Sequence, residues 1–161
     1  DAYLAARLNL PAMRHFPAGD ALFFVDGVLA GNSSFSLDTD EGGFSDNSIF
    51  FGRDPLVTAE MKSTAQQSGR EGFIDRKRTY TWDWTMIITN RHKRPVDVRV
   101  EEPAPQSRDK QIVMDVYSSP EASREGNTLF WNVKVPAGKS VNISHKVQLS
   151  APADMQVWEG R

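Results

Sequence analysis

Between Tyr80 and Thr89 the chain alternates with a period of two. Tyr80, Trp82, Trp84, Met86 and Ile88 fall on one face, and Thr81, Asp83, Thr85 and Thr89 on the other, with Ile87 the exception. A pleated strand sends successive side chains to opposite faces, so this spacing predicts a strand that covers a core on one side. The pattern recurs three times downstream. Val96, Val98 and Val100 alternate with Asp97, Arg99 and Glu101; Leu129, Trp131, Val133 and Val135 alternate with Phe130, Asn132 and Lys134. Val141, Ile143, Val147 and Leu149 alternate with Asn142, Ser144, Lys146 and Gln148.

The connections agree with strands. Asp26-Gly27 lies between Leu22-Phe23-Phe24-Val25 and Val28-Leu29, a strong signal for a tight hairpin. Asn90 to Pro95 and Pro136-Ala137-Gly138-Lys139 each separate two alternating segments, and Pro103 with Pro105 closes another strand. Glu60 to Gln67 has room for a helical turn or two, but Leu56 to Met61 reads better as a strand. Thr39 to Ser48 and Ser63 to Gly72 read as loops. Together these segments predict an all-β chain, an antiparallel β-sandwich that is immunoglobulin-like in general architecture, with nine to eleven strands and little or no helix. The expected inward set is Phe24, Trp82, Trp84, Ile88, Val98, Trp131, Val133 and Ile143.

Length and composition narrow the class. The 161 residues suit a single domain over 1–161, and 39% hydrophobic with 25% charged residues describes an ordinary globular chain rather than a disordered one. The 19 basic and 21 acidic side chains leave a formal charge of −2, which supplies no general attraction to nucleic acid or anionic membrane. Without a cysteine there is no disulfide, thiolate nucleophile or zinc–thiolate site. No apolar run approaches the roughly 18 residues of a membrane span.

Turn chemistry and strand order resemble the C-terminal domain of unknown function of mucoidy-inhibitor-A-like proteins. The signatures that carry the resemblance are Ala2-Tyr3-Leu4-Ala5-Ala6, Phe16-Pro17-Ala18-Gly19-Asp20-Ala21 and Val25-Asp26-Gly27-Val28-Leu29-Ala30-Gly31. Further along stand Phe51-Gly52-Arg53-Asp54-Pro55, Asn90 with Pro95 to Val100, and Leu129 to Gly138. Glu101-Glu102-Pro103-Ala104-Pro105-Gln106-Ser107 only approximates the corresponding family segment. The resemblance implies an N-terminal domain and a helical stalk upstream, often behind a secretion signal. With Asp1 in first place rather than Met, the expectation is a C-terminal fragment of a periplasmic or secreted protein. The family name implies a link to exopolysaccharide, but there are no catalytic residues to carry over.

Candidate chemistry is sparse. The segment Asp38-Thr39-Asp40-Glu41-Gly42-Gly43-Phe44-Ser45-Asp46 places several carboxylates on a glycine-bent stretch, which makes Asp38, Asp40 and Asp46 calcium candidates. Its spacing is not that of an EF-hand, and solvated loop acids are the plainer reading. His15, His92 and His145 are too dispersed for a zinc motif, and His145 takes an apolar position on the core side of its strand. Ser33-Ser34 stands in no nucleophile elbow. Arg76-Lys77-Arg78 and Arg91-His92-Lys93-Arg94 sit at opposite ends of one strand, about 40 Å apart, and form no single patch.

Tyr80, Trp82 and Trp84 share a face that would stack on sugar rings if it pointed outward; the polar opposite face favours core. No cofactor and no metal are expected, and no enzymatic activity. The expected role is a structural or protein-interaction module with an unknown protein partner, and the alternative is a carbohydrate-binding module for a glycan. The isolated fragment is expected to be monomeric, its edges protected by Arg99 and Lys134.

Overall fold

The computed structural model describes residues 1–10, 15–25, 27–38, 44–71 and 77–155. They form eleven strands and no helix, and every paired strand runs antiparallel. The chain divides into two compact units, Asp1–Pro55 and Leu56–Arg161.

The first unit holds two two-stranded sheets. One pairs β1 (Tyr3–Leu10) with β4 (Phe44–Arg53); the other is the hairpin of β2 (His15–Val25) and β3 (Val28–Asp38). Val25 pairs with Val28 across the two-residue turn expected there, and Gly27 takes φ 80°, a conformation that L side chains rarely adopt. Phe23 meets Phe51 of β4 edge to face at 5.2 Å. Phe24, expected inside, is exposed. Phe23 and Val25 take the half-buried side of β2, so the strand's alternation puts Phe24 on the other face.

The second unit is the sandwich. Its larger sheet has the order β5 (Val57–Glu71), β6 (Lys77–Asn90), β11 (Ser140–Pro152), β8 (Val113–Ser119). Its smaller sheet has the order β7 (Val96–Pro103), β10 (Thr128–Val135), β9 (Ser123–Glu125). Seven strands in two sheets is the count and layering of an immunoglobulin constant-type domain. The connection order is its own, because the last strand, β11, lies between β6 and β8.

The four alternating segments all fall within strands, and their apolar faces meet between the sheets. Leu129, Trp131 and Val135 of β10, Met86 and Ile88 of β6, and Ile143, Val147, Leu149 and Ala151 of β11 are buried. Fully burying one such aliphatic side chain favours folding by roughly 1.5–3 kcal/mol. Trp82, Trp84, Val98 and Val133 lie on the expected faces but are only half-buried.

Two segments read as loops are strand. β5 continues through Ser63–Glu71, paired with β6 along its whole length, with a register shift between Ser63 and Ala65. Its polar residues fit a sheet-edge strand whose two faces both reach solvent, so no alternation marks it. Likewise Phe44 to Ser48 begins β4, whereas 39–43 and Gly72 lie outside the described residues. The stretch Glu60 to Gln67 is extended, without a helical turn. The edge argument for a monomer also changes. Arg99 does sit on an edge strand, β7, but Lys134 sits on the central strand β10 and protects no edge.

Candidate functional site

The most organised polar position of the sandwich is Asn90, the last residue of β6, which is fully buried. Its Nδ2 donates to the carbonyls of Arg94 (2.8 Å), Val135 (3.1 Å) and Pro136 (3.2 Å). Its Oδ1 accepts the His92 N–H at 2.9 Å, and one donor on the oxygen with three carbonyls on the nitrogen fixes the amide orientation. The Asn90 N–H itself donates to Lys139 O at 2.9 Å, and Gly138 N–H, at φ 64°, donates to His92 O at 3.2 Å. One side chain therefore ties the β6–β7 turn to the β10–β11 turn. The sequence marked both turns, yet nothing in it announced that they share a residue.

A second cluster lies deeper. His145 of β11 is buried, as its place on the core side implies. Trp84, its cross-strand partner, stacks on it at 5.6 Å, and Trp131 meets it edge-on at 5.4 Å. Trp131 is 1% exposed, and its Nε1 is shared between Ser118 Oγ (3.3 Å) and Pro120 O (3.2 Å). These contacts join both sheets through aromatic packing, in the edge-to-face and stacked arrangements that ring quadrupoles favour.

Tyr80 and Trp82 stack nearly parallel at 6.0 Å. With Trp84 they are half-buried, and their cross-strand partners Leu149, Val147 and His145 are buried. This face belongs to the side of the sheet that carries the core, so these three rings are not an outward platform.

The remaining candidates are dispersed. Asp38 ends β3 and Asp46 lies in β4, while Asp40 is outside the described residues. His15 opens β2, His92 is half-buried in the turn after β6, and Ser33 and Ser34 lie on β3. Lys77 and Arg78 begin β6, and Arg91 to Arg94 follow its end, so the two basic clusters are held apart by the strand; Arg76 is outside the described residues.

Sequence reasoning missed the outward face of the smaller sheet. There the Arg99 guanidinium lies 4.0 Å from the Phe130 ring centre and pairs with Glu125 at 2.9 Å and with Glu101. Hydrogen bonds to Glu125 and then Glu101 raise the Arg99 pKa above its ordinary value. The signal lay in the alternation itself, because Arg99 and Phe130 are the outward residues of adjacent strands. Screened by solvent, such a cluster adds about 1 kcal/mol or less to stability.

Among the described residues no helix is long and apolar enough to cross a membrane. No curated protein and no solved structure matches the chain. A family model does match, over residues 5–153, and it spans strands of both units. On that match the chain belongs to the family described as Domain of unknown function (DUF4139).

Proposed function

We propose that residues 1–161 act as a single, non-catalytic structural or protein-interaction module of an extracytoplasmic protein related to the mucoidy-inhibitor-A-like group. The carrying observation is the tip of the β2–β3 hairpin. Leu22 is 65% exposed, Phe24 54%, Val28 70% and Leu29 56%, and Phe24 stands directly opposite Leu29. Apolar side chains grouped in this way mark interaction sites more often than singly scattered ones do. In the sandwich, by contrast, Asn90, Trp131 and His145 are buried and engaged in holding strands and turns together. The family signatures support the placement outside the cytoplasm, and the match across both units supports treating them as one domain.

A photo-crosslinking residue at Phe24, introduced into the intact protein in its native cells, tests the reading. It is expected to give discrete adducts with another polypeptide segment, and the same residue at Lys139 is expected to give none. If position 24 gives no adduct, and binding on a glycan array is lost on Trp82→Ala, the carbohydrate-binding alternative takes its place.

A further inference from the structure

We propose that the end of the sandwich formed by the β6–β7 and β10–β11 turns docks on the surface of an anionic phospholipid bilayer, through Arg91, Lys93, Arg94 and Lys139. The inference is independent of the reading above, which concerns the β2–β3 hairpin and a polypeptide.

Along the sequence three of these cations stand in one turn and the fourth in another, and the fold brings the two turns together. The Asn90 side chain donates to Arg94 O and Pro136 O, and its backbone N–H donates to Lys139 O. Gly138 N–H donates to His92 O, and the hydroxyls of Thr89 and Ser140 meet at 2.8 Å beside the turns. With their backbones in direct hydrogen bond, the turns start all four side chains within about one Debye length, roughly 10 Å in 0.1 M salt, so the cations act as one patch. The bonds to Arg94 and Lys139 use backbone atoms, so these side chains take no part in holding the turns.

All four cations are exposed, and in 91–95 and 136–140 His92 alone is half-buried. Neither segment contains an acid. The first carboxylate beyond them, Asp97, lies 3.6 Å from Lys134 Nζ. Among the described residues no carboxylate pairs with any of the four. The formal charge of −2 gives the chain no general attraction to an anion, so binding has to come from this patch.

The chemistry that fits is many phosphates presented in one plane. Sugar rings and unpaired bases are held by aromatic stacking, and neither segment carries Phe, Tyr or Trp. Tight duplex binding takes about 6–10 phosphate contacts, more than one end with four cations supplies. At an anionic bilayer each Lys or Arg strengthens attachment by about fivefold, and four of them give reversible, salt-sensitive docking.

Co-sedimentation of the whole 161-residue chain tests the proposal, with vesicles of equal parts phosphatidylglycerol and phosphatidylcholine against pure phosphatidylcholine. The chain is expected to bind only the anionic vesicles, and to be released between about 0.1 M and 1 M salt, as screening shortens from roughly 10 Å to 3 Å. Arg91→Gln/Arg94→Gln is expected to weaken binding by about 25-fold, two cations at about fivefold each. Arg108→Gln/Lys110→Gln removes the same charge from exposed positions beyond the opposite end of β7, and should bind like the wild type. Matching melting curves show that both variants fold. A wild type that ignores the anionic vesicles overturns the proposal, as does an Arg91/Arg94 variant that binds equally well. So does an Arg108/Lys110 variant that loses as much. Tighter binding to a short DNA duplex than to the vesicles, at equal phosphate, would assign the patch to nucleic acid and overturn it too.

Discussion

Replacing Asn90 with aspartate is expected to destabilise the sandwich by about 3–5 kcal/mol at neutral pH, the range for leaving an uncompensated charge buried. The new carboxylate would face the carbonyls of Arg94, Val135 and Pro136, which now accept from the amide nitrogen. Three acceptors around an acceptor favour the neutral acid, so the folded pKa of residue 90 rises above the unfolded value of about 3.9. The sign follows from linkage. A raised folded pKa means that the folded state holds the proton more tightly, so the variant is least impaired below about pH 4. Its deficit grows as pH rises through the elevated folded value and then levels off. Asn90→Ala, which leaves the same carbonyls without a donor but adds no charge, should cost about 2–3 kcal/mol without that added pH dependence. Urea unfolding of the three proteins across the acid range measures both effects. A deficit for Asn90→Asp below about 1 kcal/mol at pH 7 would show that the amide does not hold the two turns together.

The second large effect is expected at Trp131. Truncation to alanine should cost about 3–5 kcal/mol, the usual range for a buried tryptophan. The indole fills the space between the sheets, meets His145 edge-on and donates to Ser118 and Pro120. Trp131→Phe keeps much of that packing and loses the donor, so it should cost about 1–3 kcal/mol. Denaturant midpoints with an unchanged slope would place the effect in stability rather than in the unfolded state. A loss below about 1 kcal/mol for Trp131→Ala would mean that the cavity collapses without penalty and that the indole is not a core element.

The parts of the fold that were legible in the sequence are those where burial is one-sided. β6, β7, β10 and β11 each have one face towards the core, and one-sided burial is what writes a period of two into a chain. β5 was legible only at its start, because Lys62, Ser63, Thr64, Gln66 and Ser68 are all exposed, on both faces, and such polar residues satisfy neither pattern. β8 was missed for a related reason. Val113 and Tyr117 are exposed while Met114 and Val116 are half-buried, so apolar residues occur on both faces and the alternation cancels.

Phe24 was misplaced because the unbroken apolar run Leu22-Phe23-Phe24-Val25 does not say which of its two faces is inward; Phe23 and Val25 are half-buried and Phe24 is exposed. Asn90 shows a different limit. A polar turn is visible locally, but a hydrogen-bond hub joining positions 45 and 46 residues apart is a property of the folded chain. Candidate chemistry was legible in one respect: His145 falls inside, where its strand pattern put it.

The central claim is that the hairpin tip serves contact with a partner, whereas the sandwich residues serve stability. It is tested most directly by comparing the thermal melt of Phe24→Ser/Leu29→Ser with that of the wild type. Both side chains are exposed, at 54% and 56%, and substitutions at such positions usually change stability by no more than about 0.5 kcal/mol each. The expected result is an unchanged, cooperative melt. A loss of about 2 kcal/mol or more would contradict the claim, because it would make Phe24 and Leu29 members of a core rather than of a contact surface.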